Sequence, residues 1–167
     1  MTTITADYFN SAALASQSYS VHEQAPLARE PKWMATKAAS PLQARAISAL
    51  GKLAQECGKA GWDGLAAEAI SIHTIVRAAD FLCSLPQWMC APDLVPEADG
   101  NLAIEWYFGP HRSFSVSINS EGPVHYAGLF GGEEEIHGVA PFVGQIPQSI
   151  VQLLARLVRE ASARRAA

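Results

Sequence analysis

The sequence predicts an α+β fold: an antiparallel β-meander of three to four strands, packed on one face by about three α-helices. Three observations predict it. Behind two capping signals, apolar residues recur at helical spacing between residues 40 and 83. At Leu102 the period changes from 3.6 to 2, and it stays at 2 through Leu129. A wide apolar stripe follows Ile146-Pro147.

The elements follow in order. Ser40-Pro41-Leu42-Gln43 carries an N-cap serine, a proline at the first helical position and a glutamine placed to complete a capping box. Ile47, Leu50, Leu53, Ala54 and Cys57 then mark a helix over about 41–57, with Gly58 as its stop. Gly61-Trp62-Asp63-Gly64 reads as a turn: its glycines permit positive φ, its aspartate can fold back on the backbone, and Trp62 is expected to plug the edge of the core. Ser71 caps a second helix whose expected buried face is Ile72, Ile75, Val76, Ala79, Leu82 and Cys83, ending before Pro86. Residues 86–100 are expected to be a connection, with Trp88 and Met89 covering apolar surface.

Three strands come next. Leu102, Ile104, Trp106 and Phe108 alternate with Ala103, Glu105 and Tyr107; Phe114, Val116 and Ile118 alternate with serines; Val124, Tyr126 and Gly128 alternate with His125, Ala127 and Leu129. A fourth strand is expected near 134–140, after Gly131-Gly132. The last helix opens at Ile146-Pro147, with the stripe Ile150, Val151, Leu153, Leu154, Leu157 and Val158. Residues 1–39 differ: rich in Ala, Ser, Thr and Gln, with Tyr8, Phe9, Tyr19 and Trp33 scattered among them, they read as a flexible arm that is mostly loop, with a short helix at Asp7–Ala15 at most. Residues 40–167 read as a single α+β domain.

Composition bounds the function. The chain of 167 residues is 49% apolar and 17% charged, which excludes a collagen, a coiled coil or a disulfide scaffold. The net charge is −4, with four arginines against Glu160 in the last twelve residues, so the rest of the chain is acidic. An acidic body argues against broad nucleic-acid binding, which needs a basic face. Arg164 and Arg165, near the C-terminus, either complement a helix dipole or contact phosphates or an acidic partner. Three cysteines form no CxxC pair, and no apolar run approaches the roughly 18–20 residues of a membrane span. A reducing, cytoplasmic setting follows as the expectation, with no signal peptide, membrane association, metal or cofactor.

The candidate chemistry lies on the polar face of the sheet. Matching apolar faces requires paired residue numbers with an even sum, which gives the first hairpin a loop of three or five residues. The longer loop would align Glu105, Ser117 and His125 across three strands. Those are the residue types of a hydrolytic triad in the wrong order, since the histidine must stand between nucleophile and carboxylate. A strand centre also offers no oxyanion hole, because the ladder uses its N–H groups. Glu133-Glu134-Glu135 reads as a solvated turn with cation binding as its rival, and His111-Arg112 as a hairpin loop able to present a contact. Gly131-Gly132 lacks the pattern of a phosphate loop. Asp63 is the most attractive single carboxylate, with a turn-stabilising acceptor as the plainer reading.

Gly61-Trp62-Asp63-Gly64, Ile70-Ser71, Glu105-Trp106, Ser113-Phe114-Ser115-Val116, Tyr126-Ala127-Gly128 and His137-Gly138 together resemble a family of small bacterial proteins of no established activity. The likeness spans roughly residues 60–157 and departs from the family pattern at Leu65, Ala67 and Ala69. It implies a helix-and-meander fold and a bacterial cytosolic setting, and it leaves the chemistry open.

The expectation from these observations is a non-enzymatic binding module, of the antitoxin, immunity or phage-defence accessory kind, that meets a protein partner. Its candidate contacts are Trp62, Asp63, Glu105, Tyr107, His125 and Leu129, with Tyr107 and Leu129 taken as exposed on the polar face. The alternatives are nucleic-acid association through Arg164 and Arg165, and a hydrolase or metal-dependent enzyme using Asp63, Glu105 or His125. A homodimer through an uncovered fourth strand is a further expectation.

Overall fold

A computed structural model describes residues 40–165, with side chains through Ala163. The arm expected over 1–39, with its Asp7–Ala15 helix and its aromatics, lies outside the described residues, as do the side chains of Arg164 and Arg165.

Helix α1 (Pro41–Glu56) starts on the capping box that its sequence encodes. The Ser40 hydroxyl accepts the Gln43 N–H at 3.2 Å, and the Gln43 side chain accepts the Ser40 N–H at 2.9 Å. Gly58 follows the end of the helix for a spatial reason: a Cβ there would lie 2.6 Å from the Ala54 carbonyl oxygen. Helix α2 (Ile72–Ser84) is capped by the Ser71 hydroxyl, which accepts the Thr74 N–H at 3.1 Å.

The buried face of α2 is not the expected stripe. Thr74, Ala78, Ala79, Phe81 and Leu82 are buried, whereas Ile72 is 67% exposed and Cys83 faces solvent. Apolar residues occupy more than half the circumference of this helix, so spacing alone admits several faces. Phe81 decides between them, because its ring packs 5.5 Å from that of Phe142 at 59°.

The sheet has five antiparallel strands in sequence order: β1 (Asp93–Pro96), β2 (Leu102–Gly109), β3 (Arg112–Ile118), β4 (Val124–Phe130) and β5 (Glu135–Ala140). The expected fourth strand is therefore β5, and β1 is the additional one, formed inside the stretch expected to be a connection. It is four residues long, flanked by Pro92 and ended by Pro96, as suits an edge strand whose outer N–H groups need no partner. Within the same stretch Met89 is buried, but Trp88 is 51% exposed and does not cover the core.

Helix α3 (Gln148–Arg165) begins one residue after the expected proline. The Pro147 carbonyl accepts the Val151 N–H at 3.1 Å, so Pro147 serves as the cap. Ile150, Leu154, Leu157 and Ala161 form its buried line.

Helices α2 and α3 pack on one face of the sheet, with α1 against α2 and β1. Between them lies a core of Phe81, Leu82, Trp106, Phe114, Leu102, Ile104, Val116, Ile118 and Val124. No described element covers the opposite face, and the site is built there.

Candidate functional site: the uncovered face of the sheet

Strand pairing arranges the uncovered face in three rows. One row runs Tyr107, Ser113, Leu129, Glu135 across β2 to β5. The next runs Asp93, Glu105, Ser115, Ala127, His137 across all five strands, and the third runs Val95, Ala103, Ser117, His125, Val139. Side chains opposite one another on one face stand about 4.5–5.5 Å apart, so each row is a line of neighbours.

The paired numbers sum to even values, as matched apolar faces require, and the first hairpin takes the register of the shorter loop. An irregularity between Tyr107 and Gly109, with His111 at φ 58°, closes that turn. This settles which of the two registers the sequence left open is taken: Glu105 stands opposite Ser115, not Ser117. The Ser115 hydroxyl donates to Glu105 Oε1 at 3.3 Å, while the Ser117 hydroxyl donates to Glu97 Oε2 from the loop after β1. Ser117 does face His125, but Glu105 lies in the next row, so the Glu105–Ser117–His125 line that the longer loop would have aligned does not form.

The face is acidic and sparsely apolar. Asp93, Glu105 and Glu135 stand in its rows and Glu97 reaches onto it, while no lysine or arginine occupies any of the three rows. Tyr107 is 70% exposed and Val139 is 56% exposed, with Val95 also open to solvent. Leu129, expected to be exposed, is only half-buried, because Glu135 and Ser113 flank it across the strands. Between these, Ser113, Ser115 and Ala127 leave a shallow floor bordered by His137. Among the described residues no cluster of three or more His, Cys, Asp or Glu side chains is placed to hold a metal ion, the Glu133-Glu134-Glu135 run included.

The Gly61–Gly64 turn is spent on its own architecture. Gly61 and Gly64 sit at φ 75° and 79°, where a side chain would be strained. Asp63 Oδ1 accepts the N–H groups of Leu65 at 2.8 Å and Ala67 at 3.2 Å, and the Trp62 indole N–H donates to the Glu68 carbonyl at 2.9 Å. Trp62 also packs against the core, as its size requires. Asp63 is thus the plain turn acceptor. Its replacement by alanine is expected to cost about 1 kcal/mol, by analogy with a lost helix cap, while asparagine keeps most of that. Urea unfolding of the two variants measures the difference; a loss that asparagine does not repair would point to a role for the charge itself.

The basic end of α3 is partly neutralised. Arg156 grips Glu134 with two hydrogen bonds of 2.6 Å, donates to Glu160 at 2.7 Å, and lies 4.7 Å over the Phe130 ring. These bonds hold the Glu134 carboxyl below its ordinary range and raise Arg156 above its own. Cys57 and Cys83 offer no ready nucleophile. Burial, then Glu56, pushes Cys57 up, and burial, then Asp80, pushes Cys83 up, so both stay protonated at neutral pH.

Sequence reasoning missed Asp93, Glu97, Val95, Val139 and Glu135 as members of the face. The alternation that assigned His137 and Val139 to one side of β5 was present in the sequence, but the side they share with Tyr107 follows only from the register.

In comparisons with known protein families, curated proteins and solved structures, nothing matches this chain.

Proposed function

We propose that the chain is a non-catalytic binding module whose uncovered sheet face docks a basic surface of a protein partner. One observation carries the reading: a face spanning five strands bears three carboxylates and no lysine or arginine in its rows, with Glu97 reaching onto it from a loop, around the exposed Tyr107 and Val139. Tyrosine supplies contact area at low entropic cost, and surrounding charge sets partner choice and association rate. Proteins that act on nucleic acid carry basic faces, and an acidic sheet complements one. That is the physical content of an antitoxin, immunity or phage-defence accessory role. Cys57 and Cys83 form no disulfide, in keeping with a reducing cytoplasm, the setting that the resemblance to small bacterial proteins implies. Among the described residues no helix is long and apolar enough to cross a membrane.

Nucleic-acid association has less support, because Arg156 is committed to Glu134 and Glu160. The test is affinity capture from the native host. The expected result is one stoichiometric protein of basic isoelectric point, held at roughly 0.1 M salt and released near 1 M, where the screening length falls to about 3 Å. Recovery of nucleic acid in its place, or of no stoichiometric protein, overturns the reading.

A further inference from the structure

A second feature lies on the helix side of the sheet, at the end where β3 begins. Arg112 pairs in register with Phe130, which puts it on the covered side, at the rim of the core. It lines a cleft of about 380 Å³ with Phe108, Pro110, His111, Gly132 and Ala161. That volume falls in the range of roughly 300–1,000 Å³ typical of small-molecule sites.

The guanidinium is held in place but not neutralised. A Cβ at Gly131 would lie 2.1 Å from Nη2 and 2.7 Å from Cζ, so the group rests against the bare backbone of Gly131. Its Nε is buried and has no hydrogen-bond partner, and among the described residues no carboxylate lies in ion-pair range of it. Glu134, in the adjoining turn, is taken by Arg156. With Nε enclosed, the terminal guanidinium nitrogens are what this arginine offers at the wall of the cleft, to an acceptor that arrives with a ligand.

The backbone adds to the donor set. Gly131 and Gly132 have φ of 94° and 59°, and in their turn the Gly131 N–H donates to His111 and the Glu134 N–H to Gly131. Among the described residues the Gly132 N–H has no backbone acceptor, which leaves one main-chain donor in this turn beside the Arg112 guanidinium.

We propose that this cleft binds the phosphate group of a small phosphorylated ligand, with the Arg112 guanidinium and the Gly132 N–H as donors and Phe108 and Pro110 against the rest of the molecule. A guanidinium presents a planar fork that matches phosphate oxygens two at a time. The size of the cleft suits a small molecule, and Glu133 and the paired Glu134 in the adjoining turn disfavour a long polyanion.

The test uses inorganic phosphate as the probe and the full chain. At constant ionic strength and pH, phosphate is expected to shift the Arg112 Nε–Hε and Gly132 amide resonances saturably, while acetate leaves them in place. Arg112→Gln is expected to weaken binding at least about tenfold, in line with the loss of a charge-assisted hydrogen bond. Should that variant fail to fold, Arg112→Lys keeps the charge, loses the fork and is expected to bind more weakly than the unaltered chain. An equal response to acetate, the absence of saturation, or shifts concentrated at the exposed lysines of and after α1, Lys52 and Lys59, overturns the proposal.

Discussion

Trp106→Ala is expected to lower the unfolding free energy by about 3–5 kcal/mol. That is a large share of the roughly 5–15 kcal/mol that holds a domain of this kind together. Trp106 is among the largest fully buried side chains, in the middle of β2 on the helix side. Its indole N–H donates to the Cys90 carbonyl at 3.1 Å, which ties β2 to the segment ahead of β1. Truncation removes the ring, leaves a cavity that the neighbouring strands cannot fill, and strands a half-buried acceptor. Trp106→Phe keeps most of the apolar area and loses the hydrogen bond, so its expected cost is smaller, about 1–2 kcal/mol. Urea unfolding followed by circular dichroism measures both. A loss under about 1 kcal/mol for the alanine variant would contradict the placement of this ring in the core.

Gly128→Val is the second large effect, and it works by excess rather than by loss. Gly128 is opposite Phe114 and Ile136 on the covered face, in extended backbone that any residue adopts. Its reason for being glycine is space: a Cβ would lie 2.6 Å from one ring carbon of Phe114 and 2.9 Å from one of Phe130. Those rings pack edge to face at 6.4 Å, and Phe114 also stacks on Tyr126 at 5.9 Å. Valine must push two buried rings off their rotamers, at an expected cost of about 1–3 kcal/mol or more. Gly51→Val on the exposed side of α1 serves as the contrast, since nothing lies within 4 Å of a Cβ there and its backbone is helical. Equal unfolding midpoints for Gly128→Val and the unaltered chain would show that the aromatic cluster is looser than this packing implies.

The sheet was legible in the sequence because one face is buried and the other is not, which writes a period of 2 into β2, β3 and β4. The capping serines Ser40 and Ser71 were legible for a similar reason: a helix start needs a side-chain acceptor, and few residue types provide one. Strand β1 was hidden because its four residues, preceded by Pro92 and ending in Pro96, carry almost no alternation, with Leu94 its one inward anchor. The face of α2 was hidden because its apolar residues outnumber those one face can bury.

The candidate site divides along the same line. Which residues point outward followed from alternation, so Glu105, Tyr107 and His125 were placed on the correct side. Which of them are neighbours depended on a single irregular turn at Gly109–His111. A shift of two residues there would have set Glu105 beside Ser117 and His125, and local sequence does not encode the difference. Arg112 shows the reverse case. Its position in a hairpin was plain, but the glycine that accommodates it and the pairing of Glu134 with Arg156 are tertiary facts.

The most direct test of the docking face is charge reversal on the purified pair. Glu105→Lys combined with Glu135→Lys changes the face without touching the core, since both side chains stand outside it. Glu56→Lys combined with Glu121→Lys makes the same change in net charge at exposed positions off the three rows. With the partner recovered by capture, the first variant is expected to bind at least about tenfold more weakly, chiefly through slower association, and the second to bind like the unaltered chain. Equal affinity for the first variant, or equal losses for both, would contradict a partner seated on this face.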